Sequence, residues 1–337
     1  MLCIETILNI HTYFVPCRCN QQTFEKLCRL VENNWIQAGN SVPHWNTVFS
    51  VTQRVAVTLH FYASGAAIHE AGNLFGMSKS GTIRYVEQVR RVLVICLAPN
   101  IIKLPRSEAE WFAIVNGFEE IAGFPLVVGA VDGTLIRIER PADFEGWYCR
   151  KNFPAINMQA IVDHKGCFMS YSLRPGSSND QSLWSRSSFG QSVNSRIPLG
   201  CHILGEGGYS INPSLITPYS DDTDDPDERL FNNIHSRTRI VVETAFGRLK
   251  NRFRIFRRSL AEKTPQHMAY DIVACICLHN FFISVGDEAF PGMHEGDEFV
   301  GEQFKRVDEI MDVEVASAED GGRKRTGLKE LFARVQM

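Results

Sequence analysis

The chain has 337 residues, 44% of them hydrophobic and 22% charged, with a formal net charge of −3. That length exceeds what one compact core usually takes, and the composition is that of a globular protein, so two or three units are predicted. The charge excludes a chain-wide attraction to polyanions, and any nucleic acid has to be met by local basic patches. The ten cysteines contain no C-x2-C pair. Cys17-x-Cys19 and Cys275-x-Cys277 are the close ones, which argues against a zinc ribbon and for free thiols in a reducing compartment. Glu5, His11 and Pro16 break the apolar N-terminal residues well short of a membrane span or signal core, so no membrane association is expected.

From Thr23 to Trp35, Phe24, Leu27, Leu30 and Val31 keep helical spacing until Gly39 and Pro43 stop it. Ser50 is placed to cap a second helix carrying Val51, Val55, Val57 and Leu59, and a short third runs from Ala66 to Leu74. After the turn Phe75-Gly76-Met77, Ser78 opens a fourth helix with Ile83, Val86, Val89 and Leu93 on one face. Lys79, Arg84, Arg90 and Arg91 lie on or near the other. Two helices around a short glycine turn, the second basic outside, have the outline of a helix-turn-helix, with Thr82, Arg84 and Gln88 as the probes of groove contact. The same outline fits any helical domain with a solvated face. A further helix, capped by Ser107 and closed by Gly123 before Pro125, turns Trp111, Ile114, Val115 and Phe118 inward.

The stretch Leu126–Arg140 is an apolar strand that carries one carboxylate, Asp132, followed by Gly133. A half-buried acid is costly unless it is paired or holds a cation, and Gly133 lets a ligand or backbone come close beside it. Ile156–Val162 and Phe168–Leu173 read as a hairpin around Asp163-His164-Lys165-Gly166, completing a three-stranded meander. Asp180 falls in the first turn of a helix. Past Pro198, the run Leu199–Leu204 is a short strand that delivers Glu206 into a glycine loop, at the kind of strand end where α/β sheets bind ligands.

Asp221–Glu228 reads as a solvated acidic loop. Ile240–Phe256 is a strong helix with Val242, Phe246, Leu249, Phe253 and Phe256 along one side and Glu243 off that stripe. Around it Arg239, Arg248, Lys250 and Arg252 belong to the one dense basic patch, which suits a phosphate backbone. Arg150 and Lys151 are candidates for a DNA clamp beside the acids, or ordinary solvated charges. His279 reads as a core histidine. The chain divides by pattern into a helical region at 1–104, an α/β region at 105–285 and an acidic, flexible tail at 286–337, which contains the basic triplet Arg323-Lys324-Arg325.

A meander, a helix, a fourth strand and a late helix, with acids at those places, resemble an α/β, ribonuclease-H-like core with a mixed sheet, here preceded by helix-turn-helix-like helices. The blocks GAVDGT, NFPAINMQAIVDHKGCF, RPGSSNDQSLW, LGEGGYSINPSLITPY, FNNIHSRTRIVVETAFGRLKNRFRIF and CLHNFF resemble, in order, those of the PIF/Harbinger transposases and their domesticated nuclease relatives. The resemblance covers roughly residues 105–285 and implies a DDE-type, Mg²⁺-dependent endonuclease acting on DNA ends; the leading expectation is an enzyme of the nucleus whose acids hold Mg²⁺ or Mn²⁺. It implies Asp132, Glu206 and Glu243 as the catalytic triad and Asp180 as a further metal acid. It also implies a separate Myb-like DNA-binding partner, while a homo-oligomer is left open. Two positions depart from the family: GEGGY stands where GDSGY is usual, and Leu135 stands where a histidine is usual. A decayed or domesticated copy that binds metal, DNA or a partner without cleaving is the alternative. A purely structural protein with scattered acids is a third reading.

Overall fold

The computed structural model describes residues 17–141, 145–262, 264–287 and 320–336. The apolar N-terminal residues 1–16 and most of the expected acidic tail, 288–319, lie outside them. The chain forms two interleaved units, one of residues 1–102, 136–144 and 247–295, the other of 103–135, 145–246 and 296–337.

The first unit begins with α1 (Gln21–Asn33), whose N-cap Asn20 accepts from the Thr23 amide and whose Phe24, Leu27 and Val31 are buried. A Ser50/Gln53 capping box starts α2 (Val51–Ser64). Gly65 ends it in the left-handed conformation, at a place where a Cβ would press on the Arg254 carbonyl. Next come α3 (Ile68–Leu74) and α4 (Lys79–Arg91), with Ser78 capping α4 through the Gly81 amide. These are two helices around a short turn, and they depart from the expected faces at three positions. Ile83, expected inward, is 45% exposed, whereas Arg90, expected outward, is buried, with Nη1 2.9 Å from Asp271 Oδ1. Thr82 is fully buried and donates to the Ser78 carbonyl, and a Cβ on Gly72 would collide with its hydroxyl. A closely approaching α3 therefore occupies the space that a groove probe needs.

In the second unit a Ser107/Glu110 capping box opens α5 (Glu108–Ala122), and Gly123 closes it at φ +73°. Ile114 and Phe118 are buried as expected, but Trp111 and Val115 only half so. The sheet follows, of β1 (Val127–Arg137), β2 (Ala155–Val162) and β3 (Phe168–Pro175); then α6 (Asp180–Arg186); then β4 (His202–Leu204) and β5 (Leu215–Ile216). Its order is β3-β2-β1-β4-β5, with β2 and β3 antiparallel and β4 parallel to both β1 and β5. This is a mixed α/β sheet consistent with a ribonuclease-H-like core. The fourth strand is shorter than expected: Leu199 is fully exposed, and the turn through Gly200 comes before the first paired residue.

The late helix α7 (Pro226–Arg252) starts fourteen positions before the expected Ile240. Pro226 and the acids Asp227 and Glu228 form its first turn, where a missing N–H and negative charge are both favourable. The first unit is completed by α8 (Pro265–Ser284), the one described helix long and apolar enough to cross a membrane, with 72% of that window buried inside the protein. His279 is buried on it, as expected.

The end of the expected flexible tail is instead a helix, α9 (Gly321–Gln336), packed into the second unit. Phe332 lies 5.2 Å from Phe124 and 5.9 Å from Phe231, ring centre to ring centre. The Lys324 ammonium is buried and donates to the carbonyls of Gly200 and Pro213 at 2.7 and 2.8 Å. Apolar residues at helical spacing overrode an acidic average. In this helix the triplet Arg323-Lys324-Arg325 is not presented as one basic surface, because Lys324 is inside and Arg325 lies 3.9 Å over the Tyr219 ring.

Candidate active site

The register of β1 and β4 places the first two acids. Ala130 is paired with Leu204 in a parallel ladder, so two residues further along the chain in each case bring Asp132, in the middle of β1, level with Glu206, just past the end of β4. The glycine loop is what lets β4 stop there: a Cβ on Gly205 would sit 3.1–3.2 Å from Leu215, Tyr209 and Val131. Glu243 comes from α7. One carboxylate oxygen from each of Asp132, Glu206 and Glu243 lies within 4.8 Å of the other two, the one such cluster of metal-ligating side chains among the described residues. The third reading, scattered acids, is therefore wrong for this trio.

Like charges this close repel, and the chain supplies its own counter-charge. Arg239 lies one helical turn before Glu243, and its guanidinium reaches all three acids: Glu243 at 2.7 Å, Glu206 at 3.3 Å and Asp132 at 3.6 Å. The side chain is only 12% exposed, and Nη1 has no hydrogen-bond partner. Burial, then the negative charges of Glu206 and Glu243, push the Asp132 carboxyl up to about 7; the Gly133 amide, donating at 2.6 Å, and Arg239 pull the other way. Arg239 was expected to hold DNA phosphate. In this structure it faces the acids, because the turn that brings Glu243 to the trio also brings the residue four positions earlier.

An all-oxygen donor set with net negative charge is what Mg²⁺ and Mn²⁺ require. The residues thus fit a hard divalent cation, which Asp132, Glu206 and Glu243 could hold. Asp180 is not part of the trio. Asn179 is the N-cap of α6, accepting from the Ser182 amide, and Asp180 follows it as the first helical residue. Its Oδ1 lies so close over Gly133 that a Cβ there would collide with it. The Gln159 side chain, buried on β2, donates to the Asp180 carbonyl at 3.0 Å and to the Tyr209 hydroxyl at 2.9 Å, fixing this loop against the sheet.

The basic candidates separate. Arg150 and Lys151 are exposed, and Arg150 is on the rim of a cleft of about 140 Å³ that Gly133 and Asp180 also line. In the first unit, Arg84 is exposed over the Tyr85 ring, and Arg248 and Lys250 are half-buried. Arg252 does not face solvent. It is 4% exposed, stacked 4.4 Å over Phe282 and bonded to Asp287, because its position on α7 is beside the apolar stripe of Leu249 and Phe253. Sequence reasoning missed Asn157 and Gln159. The available signal was two amides on a strand that is otherwise apolar and buried throughout.

A mixed sheet on which three carboxylates converge, from a strand, a glycine loop and a helix, places the chain in the class of the DDE-type endonuclease folds. The profile of the family described as "DDE superfamily endonuclease" matches residues 131–280. A Bos taurus protein named "Putative nuclease HARBI1" is 30% identical over 241 residues, covering 69% of this chain and 67% of its own length. Its human counterpart is 29% identical over 237 residues, with the same coverage. An Arabidopsis thaliana "Protein ALP1-like" is 29% identical over 294 residues, covering 80% of this chain and 70% of its own. No solved structure matches. The chain belongs to the Harbinger transposase-derived DDE superfamily endonucleases.

Proposed function

We propose that this chain is a nuclear enzyme that hydrolyses DNA phosphodiester bonds with Mg²⁺ or Mn²⁺ held by Asp132, Glu206 and Glu243. The observation that carries this reading is the meeting of those three carboxylates, from the middle of β1, the loop after β4 and a late helix, within 4.8 Å. Divalent ions bound to such a set supply an activated water and stabilise the leaving oxygen. Asp132 is fixed by the Gly133 amide, which holds the carboxylate facing its neighbours. Glu206 and Glu243, 45% and 49% exposed, leave the open side of the trio accessible to a strand. Arg239, displaced from the acids, has the reach to meet a scissile phosphate on the same side. Arg150 and Lys151 serve the flanking phosphates, and the family resemblance supports a separate Myb-like protein as the source of target selection.

The experiment is Mn²⁺-dependent nicking of supercoiled DNA by wild type, Glu243→Ala and Glu206→Asp. The reading expects nicking by wild type and its loss in Glu243→Ala; equal activity of that variant would remove the assignment. The second reading, a relative that kept the fold and lost cleavage, is favoured by the longer Glu206 side chain where the family resemblance calls for aspartate. An ångström of misplacement costs on the order of a hundredfold in rate. An inert wild type rescued by Glu206→Asp would decide for it.

A further inference from the structure

Beside the acid trio, on the other side of Gly133, is the cleft of about 140 Å³ noted above, lined by Leu135, Cys149, Arg150, Asn157, the Gly176–Asn179 loop and Asp180. Its floor is built of acceptors. Asn157 is 6% exposed; its Nδ2 donates to the Ser178 carbonyl at 2.9 Å, and its Oδ1 is buried without a partner. A Cβ on Gly133 would be 3.4 Å from that Oδ1 and would collide with the Asp180 Oδ1, so the two oxygens converge over the same glycine. A buried carbonyl oxygen with no donor costs free energy that a ligand N–H recovers. Leu135 and Cys149 give apolar walls, and the exposed Arg150 marks the rim with a cation.

We propose that this cleft receives one unpaired nucleobase of the DNA strand and selects an amino-bearing pyrimidine, cytosine. The inference rests on the reading of the chain as a DNA nuclease. Size limits the occupant, since a cavity of about 150 Å³ holds a single six-membered ring. Chemistry selects among such rings. Cytosine turns its N4 amino group, with two N–H donors, toward the paired acceptors, and a carboxylate is the usual partner of that amine. Thymine would turn its O4 toward the same two oxygens and be rejected, leaving Asn157 and Asp180 unpaired. Enzymes that work on a strand commonly take a base out of the stack in this way, at least cost when it is already unpaired. Gly133 joins the two sites: it follows a trio acid in the chain and has no side chain to fill the cleft.

The test is fluorescence anisotropy of the full chain, in EDTA, with short hairpin duplexes ending in a single-stranded overhang that carries dC, dT or an abasic site. Wild type should bind the dC probe roughly five- to a hundredfold tighter than the dT probe. Asp180→Asn, which can donate to O4, should lower that ratio at least fivefold and move it toward dT. Leu135→Trp, which fills the cleft without touching its polar floor, should bring all three probes to equal affinity. Equal binding of the three probes by wild type, or an unchanged dC preference in Asp180→Asn, overturns the proposal. So does loss of one Mn²⁺ equivalent in Asp180→Asn with no base preference in wild type, which would give the cleft to a cation. Because binding is read without metal, a failure here is distinct from a failure to nick.

Discussion

Replacing Arg239 with glutamine tests whether the trio is a cation site already partly neutralised by the chain. The guanidinium holds two half-exposed glutamates, at 2.7 and 3.3 Å, and the largely buried Asp132 at 3.6 Å. Exposed pairs are worth about 0.2–1 kcal/mol each, and the partly buried one somewhat more, so a bound divalent ion competes with about 2 kcal/mol of ion pairing. Glutamine keeps a polar group on a side chain two bonds shorter and removes the charge. Titration calorimetry with Mn²⁺ should therefore find Arg239→Gln binding roughly thirtyfold tighter than wild type, since each 1.4 kcal/mol is a factor of ten. Arg150→Gln, outside the trio, should bind as wild type does. The melting temperature of the metal-free variant should fall, because three close carboxylates lose their counter-charge. If Arg239→Gln binds Mn²⁺ as wild type does or more weakly, the guanidinium and the metal do not share ligands, and the reasoning fails.

Other outcomes follow from single contacts. Gly133→Ala brings a methyl group against the Asp180 carboxylate, a side-chain end that can swing aside, and should cost about 1 kcal/mol or less in denaturant unfolding; a loss of several kcal/mol would mean that the carboxylate is locked over Gly133. Phe332→Ala empties a cluster shared with Phe124 and Phe231 and should cost about 3–5 kcal/mol, whereas a dispensable tail would cost nothing. Burial lowers the Lys324 ammonium to about 8, below the ordinary lysine value of about 10.4. The folded state then binds fewer protons than the unfolded one between those values, so this group makes stability rise with pH across that window. Denaturant unfolding of wild type minus Lys324→Met should show that rise between about pH 8 and 10; a flat difference would place the amine in water.

Much of the site was legible because acids that interrupt an apolar pattern, and glycines beside them, advertise it. Asp132 broke an apolar run, Glu206 sat in a glycine loop and Glu243 lay off the stripe of its helix; a parallel register then sufficed to bring the first two together. Caps were equally plain, since Ser50, Ser78, Ser107 and Gly123 act through their own chemistry within a turn. What the sequence hides is the partner of a charge. Arg239, Arg252 and Arg90 belong by pattern to basic surfaces, yet tertiary neighbours thirty or more positions away hold Arg252 and Arg90 inward, and the helical turn shared with Glu243 aims Arg239 at the acids. Residues 321–336 were obscured for the converse reason, an acidic neighbourhood masking Leu328 and Phe332 at helical spacing. The interleaving of the units arises from pairings such as the Leu260 amide with the Arg137 carbonyl, which no local pattern announces.

The central claim is that Asp132, Glu206 and Glu243 jointly hold a divalent cation. A crystal soaked in Mn²⁺, with data collected for the metal's anomalous signal, tests it most directly. Anomalous density is expected among those three carboxylates, with Arg239 moved off them. Absence of density there, with the Arg239 guanidinium still bridging the acids at saturating Mn²⁺, would contradict it.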